Sequence, residues 1–144
     1  MDKQEIKFKN KIAPDDYMRL RRAADWNEIS RRQAKAGLKN SVCALSAVCG
    51  GKTVGMARVV GDGGYVALIV DVVVLPEYRG RGIGTKLMEL LMERVCDTVR
   101  DGEGIMAQLM AARGREGFYG RFGFTARPSG SLGSGMSQWI EVSR

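Results

Sequence analysis

The chain has 144 residues, of which 44% are hydrophobic and 27% charged, and its formal net charge is +7. That composition fits a water-exposed globular fold with a real core, and its apolar runs fall well short of the ~20 residues that cross a bilayer. It contains no histidine, which excludes Ser-His and Cys-His catalysis and most zinc chemistry.

The first ten residues, MDKQEIKFKN, are charged and lack the apolar core of a signal peptide, so a cytoplasmic protein with no membrane association is expected. Residues 5–9 alternate like a short strand. Pro14, Asp15 and Asp16 open a helix, since proline suits the first turn and acids favour its positive end. Tyr17, Leu20, Ala23 and Ala24 recur at helical spacing, Trp26-Asn27-Glu28 breaks the pattern, and Ser30 caps a second helix ending near Gly37-Leu38. Residues 42–48 and 53–60 read as strands joined at Gly50-Gly51-Lys52, a hairpin signal. Gly61-Asp62-Gly63-Gly64 turns into an apolar run, residues 66–75, interrupted by Asp71 alone.

Residues 82–98 form the clearest helix, with Ile83, Leu87, Leu90, Leu91 and Val95 as its buried stripe. A turn at 101–104 leads to a strand at 105–111, then a short helix at 113–121 and a strand beginning at 122–126. A Gly/Ser-rich loop at 128–135 precedes a last strand at 137–142. With neither a repeat nor a linker, a single domain over residues 1–144 is expected, built on a mixed sheet with helices packed against it. Cys43, Cys49 and Cys96 have no CxxC spacing and are expected to be buried small hydrophobes rather than disulfide partners or metal ligands. The arginines are scattered, with no aromatic-basic motif, so no nucleic acid is expected as partner.

Two features carry chemistry. The first is Arg79-Gly80-Arg81-Gly82-Ile83-Gly84-Thr85, which follows a strand and opens a helix. Helix starts present unpaired N–H groups and about half a positive charge. Glycines let that backbone close on an anion, and the two arginines add charge, so the segment is a phosphate or diphosphate cradle. It matches neither the Walker loop nor the GxGxxG fingerprint, because Thr85 stands where the third glycine belongs. The second is Asp71. A carboxylate in a buried strand needs a partner or a wet cavity. It is either a structural carboxylate paired with an arginine such as Arg58, or a catalytic one that binds or orients an ammonium or accepts its proton through water.

VVVLPEYRGRGIGTKLM resembles the coenzyme A signature [Q/R]-x-x-G-x-[G/A] of the GCN5-related N-acetyltransferase family, with Arg79, Gly82 and Gly84 in the matching positions. Glu116-Gly117-Phe118-Tyr119-Gly120-Arg121-Phe122-Gly123-Phe124 resembles the family's later FYxxFGF segment, and the likeness spans roughly residues 53–126. The resemblance implies a mixed, mostly antiparallel sheet with splayed central strands flanked by helices. It implies acetyl-CoA as cosubstrate, no metal, and transfer to a small primary amine that attacks the thioester directly.

By the same resemblance, backbone groups of Val72, Val73 and Val74 bind the pantetheine arm, Arg79, Gly80, Arg81, Gly82, Ile83, Gly84 and Thr85 hold the pyrophosphate, and Tyr119 protonates the leaving thiolate. A tyrosine near pKa 10 keeps its proton beside a thiol near 8.5, so that role is chemically sound. Trp26 and Glu28, in the break between the first helices, are acceptor-site candidates, and a homodimer is a further expectation. Asp71-Val72-Val73-Val74 also resembles the matching strand of glucosamine-phosphate acetyltransferases. The acceptor stays open among aminosugar phosphates, arylalkylamines, polyamines, aminoglycosides and protein amines. A non-catalytic coenzyme A sensor is the alternative function.

Overall fold

A computed structural model describes residues 4–144; the first three residues, part of the charged N-terminal stretch, lie outside the described residues. The chain forms two compact units, Met1–Leu109 and Met110–Arg144.

The first unit carries a five-stranded sheet in the order β1-β2-β3-β4-β5. Its elements are β1 (Ile6–Lys9), α1 (Pro14–Ala23), α2 (Arg31–Lys39), β2 (Cys43–Cys49), β3 (Lys52–Gly61), β4 (Val66–Val74), a single 3-10 turn (Pro76–Tyr78), α3 (Ile83–Asp97) and β5 (Met106–Leu109). β1 to β4 pair antiparallel, and β5 joins β4 in parallel. The expected helix starts are realised. Pro14 opens α1 with Asp15 and Asp16 in its first turn. Ser30 caps α2 in a full capping box with Gln33. The β2–β3 hairpin turns on Gly50 and Gly51 at φ 57° and 78°, the two positive dihedrals a type I′ turn demands.

β3 is covered on both faces. A methyl group on Gly55 would meet Val73 O at 3.2 Å and the side chains of Ile83 and Leu87 at 3.4 Å, so glycine there lets α3 lie close on the sheet. On the other face Thr53 Oγ1 donates to Asp16 of α1 at 3.1 Å. The fully buried Leu20, Val54, Met56, Val59, Leu87, Met88, Leu91 and Val95 make the core between these layers. Met88 joins the α3 stripe in place of the expected Leu90, which is only half-buried. Cys43 and Cys49 are buried as expected, whereas Cys96 is exposed on α3. No helix of the described residues is long and apolar enough to cross a membrane.

The second unit contains α4 (Glu116–Gly120) and an isolated bridge between Ser129 and Leu132. The two strands expected at 122–126 and 137–142 are absent. After α4 the backbone folds back: the N–H groups of Phe122 and Phe124 donate to Tyr119 O, and that of Gly123 to Gly120 O. Those donors are no longer available to a ladder. Residues 137–142 have strand-like composition, but strand pairing needs a partner edge, and none engages them among the described residues.

Candidate active site

The ladder between β3 and β4 slips once. Met56 faces Val73 and Arg58 faces Val70, so Asp71 and Val72 together oppose the single residue Ala57. This is a β-bulge, and its first residue, Asp71, takes φ 56° in the left-handed region. Aspartate tolerates that region better than most residues. A bulge re-aims the backbone N–H groups around it and leaves the extra residue outside the ladder. On its other edge β4 pairs with β5 only from Val66 to Ile69. Residues 70–74 therefore keep an edge with no strand partner among the described residues, directly at the bulge.

Asp71 is nearly buried, with 11% of its side chain exposed, and its carboxylate is fully engaged. Tyr17 donates to Oδ2 at 2.5 Å, Arg58 Nε to the same oxygen at 3.1 Å, and Arg21 Nη1 to Oδ1 at 3.1 Å. The Arg58 partner weighed from sequence is present. Tyr17 and Arg21 were not foreseen, although their i, i+4 spacing puts them on one face of α1, and a buried carboxylate calls for more than one partner. Arg58 is anchored further by Gly37 O and Ser41 Oγ, and Arg21 by Asn27 O. Burial, and then the hydrogen bond to Asp71, push the Tyr17 hydroxyl above the ordinary tyrosine range, so it stays a donor. Trp26 lies over the Arg21 guanidinium at 5.6 Å. With Glu28 it borders a cleft of only about 10 Å³, room for little more than a single water. Glu28 itself is exposed and stands 3.9 Å from Arg22.

Nine residues past the end of the bulged strand, α3 begins. Gly80 and Gly82 hold φ 79° and 76°, and Gly82 is the N-cap, with no side chain closing the helix end. A Cβ at either glycine would meet nothing within 4 Å, so the concavity in front of them is open. Ile83 is buried and pins the first turn, while Arg79 and Arg81 are exposed. Arg79 Nε reaches Val74 O at 3.3 Å, and Arg81 stacks over Tyr78 at 5.2 Å. Open N–H groups at a helix start, left-handed glycines and two guanidiniums fit a diphosphate.

In the second unit, Tyr119 sits in an aromatic cluster, edge-on to Phe118 at 5.0 Å and to Phe124 at 6.5 Å. Burial raises its pKa, against a smaller opposite pull from Arg115.

A family model described as "Acetyltransferase (GNAT) domain" matches residues 40–126. The chain belongs to the GNAT acetyltransferase family. The match takes in the bulged strand, the glycine-arginine helix start and the Tyr119 cluster. Among curated GNAT relatives, an uncharacterized N-acetyltransferase, ycf52, from Pyropia yezoensis is 31% identical over 112 residues, covering 75% of this chain and 62% of that protein. Serotonin N-acetyltransferase 2 of Oryza sativa is 33% identical over 116 residues, covering 80% of this chain and 50% of that protein. The chain thus spans less than two thirds of the length of these curated relatives. A crystal structure of a probable acetyltransferase from meticillin-resistant Staphylococcus aureus superposes with a TM-score of 0.84 at 29% identity, covering 94% of this chain and all of that one.

Proposed function

We propose that this chain catalyses acetyl-CoA-dependent N-acetylation of a small primary amine. The observation that carries the proposal is the coincidence of a bulge and an unpaired edge on one strand with a phosphate-fitting start of the helix that follows it. Acetyl-CoA supplies an activated acyl group whose thioester carbon accepts the amine nitrogen. The unpaired edge of Val72, Val73 and Val74 offers hydrogen bonds to an extended amide arm, as a neighbouring strand would. A bulge N–H meets the oxygen that gains charge when nitrogen attacks, a stabilisation typically worth a few kcal/mol. Backbone N–H groups from Gly82 to Thr85, with Arg79 and Arg81, hold the diphosphate. As the new C–N bond forms and the C–S bond breaks, the amine releases its proton to solvent, and Tyr119 delivers one to the departing sulfur.

Asp71 serves this site by holding the bulge. Its oxygens are taken by Tyr17, Arg21 and Arg58, so ammonium binding through it would require displacing one of them. Trp26 and Glu28 remain our acceptor-side assignments on the family resemblance; the cleft they border next to Arg21 has room for little more than a single water. The proposal includes a homodimer. Trp139, Ile140 and Val142 are 54%, 68% and 69% exposed in the single chain, and burial against a second copy would remove that surface from water.

A thiol-release assay with acetyl-CoA and a panel of primary amines tests the activity. Turnover with at least one amine supports it. Saturable acetyl-CoA binding without turnover on any amine points instead to a coenzyme A sensor, and no binding at all removes both readings. Sedimentation equilibrium tests the dimer.

A further inference from the structure

A second cleft lies at the far end of α3. The β1–α1 connection, the last turns of α2, the start of β2 and Arg94 of α3 enclose about 370 Å³, within the usual range of small-ligand pockets. Its floor is apolar, formed by Ile12 and Cys43, which are 7% and 5% exposed. Its walls carry Lys11, Lys35, Lys39 and Arg94, and no aspartate or glutamate lines it. Arg94 follows Ile83 by eleven residues, which puts it about 16 Å along the helix from the glycine-arginine start.

Elsewhere in this unit five arginines pair with carboxylates, Arg19 with Asp16, Arg22 with Glu28, Arg31 with Asp15, and Arg21 and Arg58 with Asp71, whereas Arg32, Arg79, Arg81 and Arg100 form no ion pair among the described residues. The four cations of the cleft form no ion pair among the described residues. Among the described residues Arg94 bonds only the neutral Asn10 Oδ1, at 3.2 Å. Lys39 stands in the last turn of α2, near the helix's negative end, while the side chains of Asn40 and Ser41 bond Ala36 O and Gly37 O there. A charged face along one helix is ordinary solvated surface. Here four cations from three separate segments, Lys35 and Lys39 sharing α2, converge on one concavity, and their mutual repulsion falls when an anion sits between them.

We propose that this cleft is an accessory binding site for a small, multiply charged anion bearing phosphate or carboxylate groups. Three ammonium groups act as rotatable donors and point charges, and the Arg94 fork adds paired donors suited to either oxyanion. The site is separate from the helix start assigned to the cosubstrate.

The test is an amide-resolved NMR titration of the full chain with inorganic pyrophosphate at about 0.01 M ionic strength, where screening is weak. The host is the Arg79→Gln/Arg81→Gln variant, which weakens pyrophosphate binding at the α3 start. Saturable shifts clustered at residues 10–12, 39–43 and 94 are expected. Adding Lys35→Gln, Lys39→Gln and Arg94→Gln should weaken them by about tenfold or more, with the thermal midpoint checked to show that the variant folds. A parallel citrate titration separates the sources: tighter pyrophosphate binding assigns a phosphorylated occupant, and tighter citrate binding a polycarboxylate. No saturable shift at those amides, or unchanged affinity in the glutamine variant, overturns the proposal. So does displacement of pyrophosphate by a short single-stranded oligonucleotide of much higher affinity, which would make the surface a nucleic-acid contact.

Discussion

The left-handed backbone at Asp71, φ 56°, strains residues with a Cβ by roughly 1–2 kcal/mol, and the single carboxylate of the same residue is shared by two nearly buried arginines. These two demands separate in mutants. Asp71→Ala keeps the strain and leaves Arg21 and Arg58 without their counter-charge, so a loss of about 3 kcal/mol or more is expected. Asp71→Gly relieves the backbone and should recover about 1 kcal/mol relative to alanine. Urea-unfolding midpoints measure both, and an alanine variant as stable as the parent would remove Asp71 from its structural role. Tyr119 calls for a different readout. Its raised pKa keeps the proton in place through neutral pH. Under the proposed mechanism Tyr119→Phe should lower kcat by about 10²–10⁴ while the KM for acetyl-CoA stays nearly unchanged. Equal turnover in the two proteins would rule out the proton-donor role.

At the scale of elements, the readable parts of the sequence were those whose signals are local. Ser30 with Gln33, Pro14 with its two acids, and Gly50-Gly51 each fix an element end through neighbours a few residues away. The loop at 79–85 was readable for the same reason, since helix start, glycines and arginines are contiguous. The bulge was not, because no glycine marks it; it exists through register against β3. That Asp71 needs a partner was legible. Tyr17 and Arg21, 54 and 50 residues away in sequence, were brought to it by the packing of α1 on the sheet. The two missing strands depended on partner edges, which no local pattern supplies. Local signals also make local predictions. Ser30→Ala should cost about 1 kcal/mol by opening the capping box. Gly82→Ala meets no neighbour but must hold φ 76°. It should cost about 1 kcal/mol and weaken acetyl-CoA binding, read by calorimetry, more than it lowers stability. An alanine variant that binds acetyl-CoA as the parent does would detach the helix start from the cosubstrate.

Over the whole molecule, Tyr17, Cys43 and Tyr119 all shift the same way, each raised by burial as the largest cause. A group whose folded pKa lies above its unfolded value binds its proton more tightly in the folded state. Its contribution is complete below the unfolded pKa and is lost as pH climbs through the folded one. The ordinary values are 9.0 for the cysteine and 10.0 for the tyrosines, so stability should hold through neutral pH and fall from about pH 9 upward. Tyr17→Phe isolates the part of this trend that Tyr17 carries. The variant should be less stable than the parent near pH 7, where the hydrogen bond to Asp71 is intact, and the gap should close as pH rises beyond 10 and ionised Tyr17 faces that carboxylate. Calorimetric midpoints of both proteins between pH 7 and 11 measure the convergence. A gap that stays constant across the range would mean that the Tyr17 proton is not held by the Asp71 cluster.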